Sequence, residues 1–172
     1  MKLFAIALVF IGCIVGGFWL DEDQKKRIQE LEKFMYLFEL LKAEIDYRLT
    51  PLKEACLIVG KRTNNKRIEA VMLNFSQSLE ARESVHLEEM WVNAINTQKK
   101  AFHLQAEDYA LLYSFGGACG YLDKNMEKRN IEMVLEALKA QTHGVKEKYE
   151  RTSKLNKSLG LLIGLGISIF LL

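Results

Sequence analysis

Few residues of this sequence have the types and the spacing that catalysis requires. His86, His103 and His143 are isolated, and none forms a convincing metal-ligand set with a neighbour three or four positions away. The sequence also lacks a glycine-rich phosphate loop, a nucleophile elbow and the HExxH zinc motif. We therefore predict histidines at the surface or beside helices, no metal, no cofactor and no enzymatic activity.

Three carboxylates, Glu44, Asp46 and Glu54, come closest to an acid and base pair. Glu44 and Asp46 are two positions apart, so on a helix they point to different faces. We interpret them as solvated charges rather than as a catalytic pair. The three cysteines of the chain have neither disulfide nor metal-ligand spacing, which indicates buried reduced thiols.

Charge is distributed unevenly along the 172 residues. The sequence has 24 lysines and arginines and 22 acidic residues, and its net charge of +2 is too small and too mixed with acid for a nucleic-acid partner. Every acidic residue, and every basic residue except Lys2, lies between Asp21 and Lys157. Both ends of the chain are therefore uncharged.

The first uncharged end, residues 3–20, has the length of a transmembrane helix. At ~1.5 Å per residue it nearly spans the ~30 Å hydrocarbon core of a bilayer. A cleaved signal peptide is the rival interpretation. Against cleavage, no A-x-A-like site precedes Asp21, and Phe18 and Trp19 stand where an interfacial aromatic belt would lie.

The second uncharged end, residues 159–172, follows Lys154 and Lys157, whose long stems can reach lipid headgroups. We predict a second, short span there. Small residues at helix-packing spacing occur in both spans, namely Gly12, Gly16, Gly160 and Gly164. Basic residues flank both spans on the side of residues 21–158. These features predict a two-pass cell-membrane protein in contact with lipid, with residues 21–158 in the cytoplasm.

Apolar residues between the spans recur at helical spacing, which predicts an all-α fold with six helices. A long helix runs from Asp21 to Arg48, and a long last helix starts at Lys124 with Asp123 as its cap and an apolar seam over residues 131–152. Four shorter helices are predicted over 52–60, 68–80, 85–99 and 107–117. Thr50 is the predicted N-cap of the second helix.

The order of several short runs resembles the stage III sporulation protein AB family. These runs are Leu41, Glu44-Ile45, Tyr47, Thr50-Pro51-Leu52, Glu54-Ala55, Glu107-Asp108, Phe115-Gly116, Gly120, Asp123 and Lys157-Ser158-Leu159-Gly160 with Gly164. The resemblance covers nearly the whole chain. That family is similar to the cytoplasmic six-helix bundle of the inner-membrane platform proteins of type II secretion and type IV pilus systems. The sequence departs from the family pattern at Ala118-Cys119 and at Gly144, which interrupts the last helix.

The resemblance implies a non-catalytic membrane component of a secretion-like channel complex required for endospore formation. Its implied location is the mother-cell membrane around the forespore. Its implied partners are a secretion-type ATPase and other membrane subunits, and no small-molecule substrate is implied. A membrane-tethered helical sensor or regulator is the alternative, and a secreted helical protein is a third interpretation.

The resemblance also places a set of residues at the helix junctions of the bundle, where they would shape the fold or face a partner. The set consists of Glu44, Thr50, Pro51, Glu54, Gly116, Gly120 and Asp123. Within it, the acidic side chains Glu44 and Glu54 are candidates for docking the ATPase.

Overall fold

The computed structural model describes the backbone of residues 2–81, 86–118 and 124–171, and the side chains of residues 22–81, 86–117, 126 and 128–153. These ranges contain α-helices and a short 3-10 helix, Lys99–Ala101, but no strand. The α-helices are α1 Lys2–Tyr47, α2 Leu52–Arg62, α3 Lys66–Ala81, α4 Leu87–Gln98, α5 Ala106–Ala118 and α6 Lys124–Leu171. The predicted all-α fold with six helices is confirmed.

The helices form a closed ring, in which each packs against the next and α6 returns to α1. Two ion pairs show that α1 and α6 are antiparallel. Lys42 contacts Glu132 at 2.6 Å, and Glu32, ten residues earlier in α1, contacts Lys146 of α6 at 2.5 Å. The two ends of the chain therefore leave the bundle on the same side.

The core is built from the apolar stripes that the sequence predicts. On α1 the fully buried side chains are Leu31, Phe34, Leu37, Phe38 and Leu41. Trp91 of α4 is also fully buried, and its ring meets those of Phe38, Phe75 and Phe115 edge-on at centroid distances of 6.3, 5.1 and 5.0 Å. The indole N–H of Trp91 donates to the Leu112 carbonyl at 2.7 Å, so its one polar atom is satisfied.

The seam of α6 follows the heptad-like prediction over most of its length. Its buried members are Ile131, Leu135, Leu138, Thr142 and Val145. The seam ends earlier than predicted, because Tyr149 is only partly buried and Thr152 is exposed. The expectation that Gly144 interrupts the last helix was wrong, since α6 runs through it without a break.

Several predicted features lie outside the residues whose side chains are described. These are Gly120, Asp123, both candidate spans, 3–20 and 159–172, and the glycines Gly12, Gly16, Gly160 and Gly164. Among the residues that the structure does describe, no helix is both long enough and apolar enough to cross a membrane. The two spans therefore remain predictions from the sequence.

Two glycines of the bundle should respond in opposite ways to the same substitution. A Cβ at Gly116 would lie 2.9 Å from the Glu88 Cα and 3.0 Å from the Trp91 Cβ, so Gly116→Ala should push α4 and α5 apart and cost about 1–3 kcal/mol. A Cβ at Gly144 meets nothing within 4 Å, so Gly144→Ala should stabilise α6 by up to ~1 kcal/mol. Equilibrium urea unfolding measures both. Destabilisation by the Gly144 variant as well would contradict this account.

Candidate functional site at the helix junctions

The junction of α1 and α2 holds four of the predicted site residues: Glu44 in α1, Thr50 and Pro51 in the turn, and Glu54 in α2. Leu49 reverses the chain there with a left-handed φ of 54°. Pro51, not Thr50, occupies the N-cap position of α2, and its carbonyl accepts the Ala55 N–H at 2.9 Å. The predicted capping role of Thr50 was therefore wrong. The Thr50 hydroxyl lies toward α1 and donates to the Glu44 carboxylate at 3.4 Å.

Glu44 is buried, so its interpretation as a solvated charge was wrong. Only 2% of its surface is exposed, and its carboxylate accepts a hydrogen bond from Arg62 Nη1 at 2.7 Å. A buried carboxylate needs such a donor, because an unpaired buried charge is costly. The contact joins the end of α1 to the end of α2. Glu44 is therefore a fold-shaping residue of this junction.

The other two carboxylates do not join Glu44 in an acid and base pair. Asp46 contacts Lys128 of α6 at 2.7 Å, whereas Glu44 is bonded to Arg62 of α2, so the two serve different junctions. Glu54 is exposed in the first turn of α2. The arrangement joins helices and supplies no pair of facing carboxylates.

Large apolar side chains are exposed beside this junction. Tyr47 is 83% exposed and Leu49 is 63% exposed, and Pro51 is exposed two residues later. We call Tyr47, Leu49, Pro51 and Glu54 the α1–α2 turn surface. It lies at the end of α1 opposite to the side on which the two ends of the chain leave the bundle.

A second junction is organised around Asp108, which is fully buried near the start of α5. Arg27 of α1 donates to both of its carboxylate oxygens, from Nε at 2.7 Å and from Nη2 at 2.9 Å. The backbone N–H of Gln105 donates at 2.9 Å and the Gln141 amide of α6 donates at 3.0 Å. Asp108 thus connects α1, α5 and α6, and the bond from Gln105 also caps the start of α5.

These donors set the ionisation of Asp108. Burial alone would raise its pKa, but the hydrogen bonds from Arg27, the Gln105 backbone and Gln141 outweigh burial and hold the pKa below its usual value. Nearby Glu30 shows the opposite balance. Burial raises the pKa of Glu30, although it accepts the His103 N–H at 2.6 Å and an Arg67 hydrogen bond at 3.0 Å.

The histidines lie where the sequence predicts. His86 and His143 are exposed, His86 immediately before α4 and His143 on α6. His103 is half-buried between the 3-10 helix and α5, and its Nδ1 lies 2.6 Å from an Asp23 carboxylate oxygen. In the part of the chain that the structure describes, no three histidine, cysteine or acidic side chains converge as metal ligands would.

The Asp108 junction was not predicted as a site. In the sequence, Asp108 stands out only within the Glu107-Asp108 run, and Arg27 is only one of the basic residues that flank the first predicted span. Their partnership has no local signal, because the two residues are 81 positions apart. Gly116 was predicted at a junction, and it does allow the close approach of α4 and α5.

Comparisons with known proteins agree in one result. A family model described as Stage III sporulation protein AB matches residues 2–172. Stage III sporulation protein AB of Bacillus subtilis (strain 168) is 23% identical over 172 residues, which cover 100% of this chain and 99% of that protein. A solved structure titled Stage III sporulation protein AB has a TM-score of 0.64 and 22% identity, and covers 73% of this chain and 97% of its own.

Removing one partner of the Asp108 junction should destabilise the bundle strongly. Asp108→Asn leaves the buried Arg27 without its carboxylate, and breaking a buried pair costs about 3–5 kcal/mol. The double variant Arg27→Met/Asp108→Leu should lose less than the sum of its single variants Arg27→Met and Asp108→Leu, because neither charge of this pair remains buried. Urea unfolding of the three variants measures this coupling. Additive losses would contradict it.

The same junction should make stability depend on acid pH. A carboxyl group whose pKa is lowered by folding stabilises the protein above its unfolded-state pKa of about 4, and this stability is lost as pH falls through the lowered value. Unfolding free energies between pH 5 and pH 2 should therefore fall less steeply in Asp108→Asn than in the wild type.

Glu30→Gln is the matched control for this pH dependence. The raised pKa of Glu30 has the opposite effect on the pH dependence of stability. Its stabilising contribution is present at low pH and is lost as pH rises through the folded-state pKa. The Glu30 variant should therefore show a steeper acid loss than the wild type. Equal slopes in all three proteins would contradict both assignments.

Proposed function

The chain belongs to the stage III sporulation protein AB family, and from that membership we propose that it is a non-catalytic membrane platform of a secretion-like complex required for endospore formation. In this role it couples a cytoplasmic secretion-type ATPase to the other membrane subunits through protein contact. The central bundle is cytoplasmic, and the mother-cell membrane around the forespore is its location. The match over residues 2–172 carries the proposal.

The geometry of the two long helices supports membrane anchoring. Because α1 and α6 are antiparallel neighbours, the uncharged segments 3–20 and 159–172 both extend from one side of the bundle. Two spans that leave on one side can enter the same bilayer without any rearrangement of the bundle. The basic residues that flank both segments favour the cytoplasm for residues 21–158.

The α1–α2 turn surface is the proposed ATPase contact. It faces away from the side on which the spans would enter the membrane, so a soluble ATPase could reach it. Tyr47 and Leu49 offer exposed apolar area, which is typical of an interaction site. Glu54 remains the acidic candidate of this surface, because Glu44 is buried and bonded to Arg62.

The predicted topology can be tested with two single-cysteine reporters in non-sporulating cells. Lys61→Cys lies at the exposed end of α2, and a second reporter follows Leu172, both in a background without Cys13 and Cys119. A membrane-impermeant maleimide should label the C-terminal reporter in intact cells, and Lys61→Cys only after permeabilisation. Labelling of Lys61→Cys in intact cells would place the bundle outside and reject the platform.

The proposed ATPase contact can be tested by co-purification of the ATPase with full-length variants. Tyr47→Ala/Leu49→Ser should reduce recovery of the ATPase about tenfold, which corresponds to a loss of about 1.4 kcal/mol of binding free energy. Tyr36→Ala is the matched control, since Tyr36 is a tyrosine of the same helix that is 44% exposed but lies outside the turn surface. Unchanged recovery with the double variant, or equal loss with the control, would reject this surface.

A further inference from the structure

The segment that joins α4 to α5 has an excess of positive charge. We call residues 99–105 the α4–α5 connector; it consists of the 3-10 helix and the four residues after it. No acidic residue occurs within 90–106, whereas Lys99 and Lys100 are adjacent and His103 follows them. Lys100 is exposed, and among the side chains that the structure describes it has no ion-pair partner. Its charge is therefore available to a partner outside the bundle.

Hydrogen bonds fix the α4–α5 connector to α1. The imidazole Nδ1 of His103 lies 2.6 Å from an Asp23 carboxylate oxygen, and the backbone N–H of His103 donates to Glu30 at 2.6 Å. Arg27 of α1 also donates to the side-chain oxygen of Gln105 at 2.6 Å. The connector therefore lies beside the part of α1 between Asp23 and Glu30, and α1 determines its position along the bundle.

This part of α1 lies close to the first predicted span. The helix is unbroken over Lys2–Tyr47, so the uncharged segment that ends at residue 20 is continuous with the bundle. At ~1.5 Å per residue, Asp23 lies about 5 Å and Glu30 about 15 Å beyond residue 20. The headgroup layer of a bilayer is about 5–7 Å thick, and its electrostatic field extends about 8 Å farther at physiological ionic strength. The whole connector is therefore within reach of the headgroups.

The acidic side chains nearest to the connector have donors within the bundle. They are Glu22 with Lys26 at 3.8 Å, Asp23 with His103 at 2.6 Å, Glu30 with Arg67 at 3.0 Å and Glu107 with Arg27 at 4.0 Å. The two connector lysines are not among these donors. Lys99 lies 5.0 Å from the centre of the Tyr109 ring, and Lys100 is exposed. Lysines that no acidic side chain neutralises are attracted to a membrane surface that carries anionic lipid.

We propose that the α4–α5 connector is a membrane-surface site, which contacts the anionic phospholipid headgroups of the bilayer that the two spans enter. This inference rests on the proposed membrane anchoring. The Lys100 ammonium donates to phosphate oxygens, which are strong acceptors for a charged donor. The two spans and the connector then attach the bundle to the membrane at three places. The α1–α2 turn surface, at the other end of α1, stays directed away from the bilayer.

The height of the connector can be measured with full-length protein in vesicles of phosphatidylcholine and phosphatidylglycerol. A fluorophore on Ala101→Cys, in a background without Cys13 and Cys119, should be quenched by lipids that carry a spin label on the headgroup. The same fluorophore on Ala43→Cys is the matched control, because Ala43 is also an exposed alanine and lies about 35 Å beyond residue 20 along α1. Equal quenching at the two positions would overturn the proposal.

The charge of the headgroups provides the second test. Quenching at Ala101→Cys should be stronger with phosphatidylglycerol than in pure phosphatidylcholine. Lys100→Gln should lower the ratio of quenched to unquenched fluorophore about fivefold, the factor expected for one lysine at an anionic surface. Arg129→Gln removes the same charge at the far end of the bundle, beside Lys128, which contacts Asp46 at 2.7 Å, and should have no effect. No response to phosphatidylglycerol, or equal responses of the two variants, would overturn the proposal.

Flotation of the same vesicles separates this inference from the function on which it rests. Protein that fails to float with the lipid would reject the anchoring, and with it the proposed function. Protein that floats but shows equal quenching at Ala101→Cys and Ala43→Cys would reject the connector contact alone. The two failures are therefore distinguishable in one preparation.

Discussion

The closure of the helical ring depends on one buried carboxylate. Asp108 is fully buried, and a charge in that environment is tolerated only when donors surround it. Its donors come from Arg27 of α1, from Gln141 of α6 and from the chain immediately before α5. The first, fifth and sixth helices therefore share one register. Sliding any of them by a turn would leave a buried charge unpaired.

Packing fixes the remainder of the ring by a different means. Because Gly116 has no side chain, α5 approaches α4 so closely that a Cβ at this position would clash with the α4 backbone. The Trp91 ring fills the centre of the bundle among three phenylalanines. The hydrogen bonds of Asp108 fix α1, α5 and α6, and the close contact at Gly116 fixes α4 against α5. The helices can therefore shift little relative to one another. The side chains that a partner can reach therefore lie on the outside of the bundle, as at the α1–α2 turn surface.

How much of the structure could be predicted from the sequence depends on how far apart the interacting residues are along the chain. Helical stripes are local, so the buried faces of α1 and of α3 to α6 could be predicted from spacing alone. Glu44 could not be interpreted correctly, because its burial depends on Arg62, 18 residues later, and Asp108 depends on Arg27, 81 residues earlier. The prediction for Thr50 was also wrong, because its hydroxyl donates to Glu44 instead of capping α2.

The pairing of α1 with α6 sets an order for the synthesis of the protein. Met35 contacts Thr142, 107 residues later, and Glu32 contacts Lys146, 114 residues later. The pairs α2–α3 and α4–α5 are close in sequence and can form while the ribosome is still translating α6. Until α6 emerges from the ribosome, the apolar residues of α1 that pack against it stay exposed to solvent. A ribosome that stalls before α6 thus leaves an open ring, prone to aggregation.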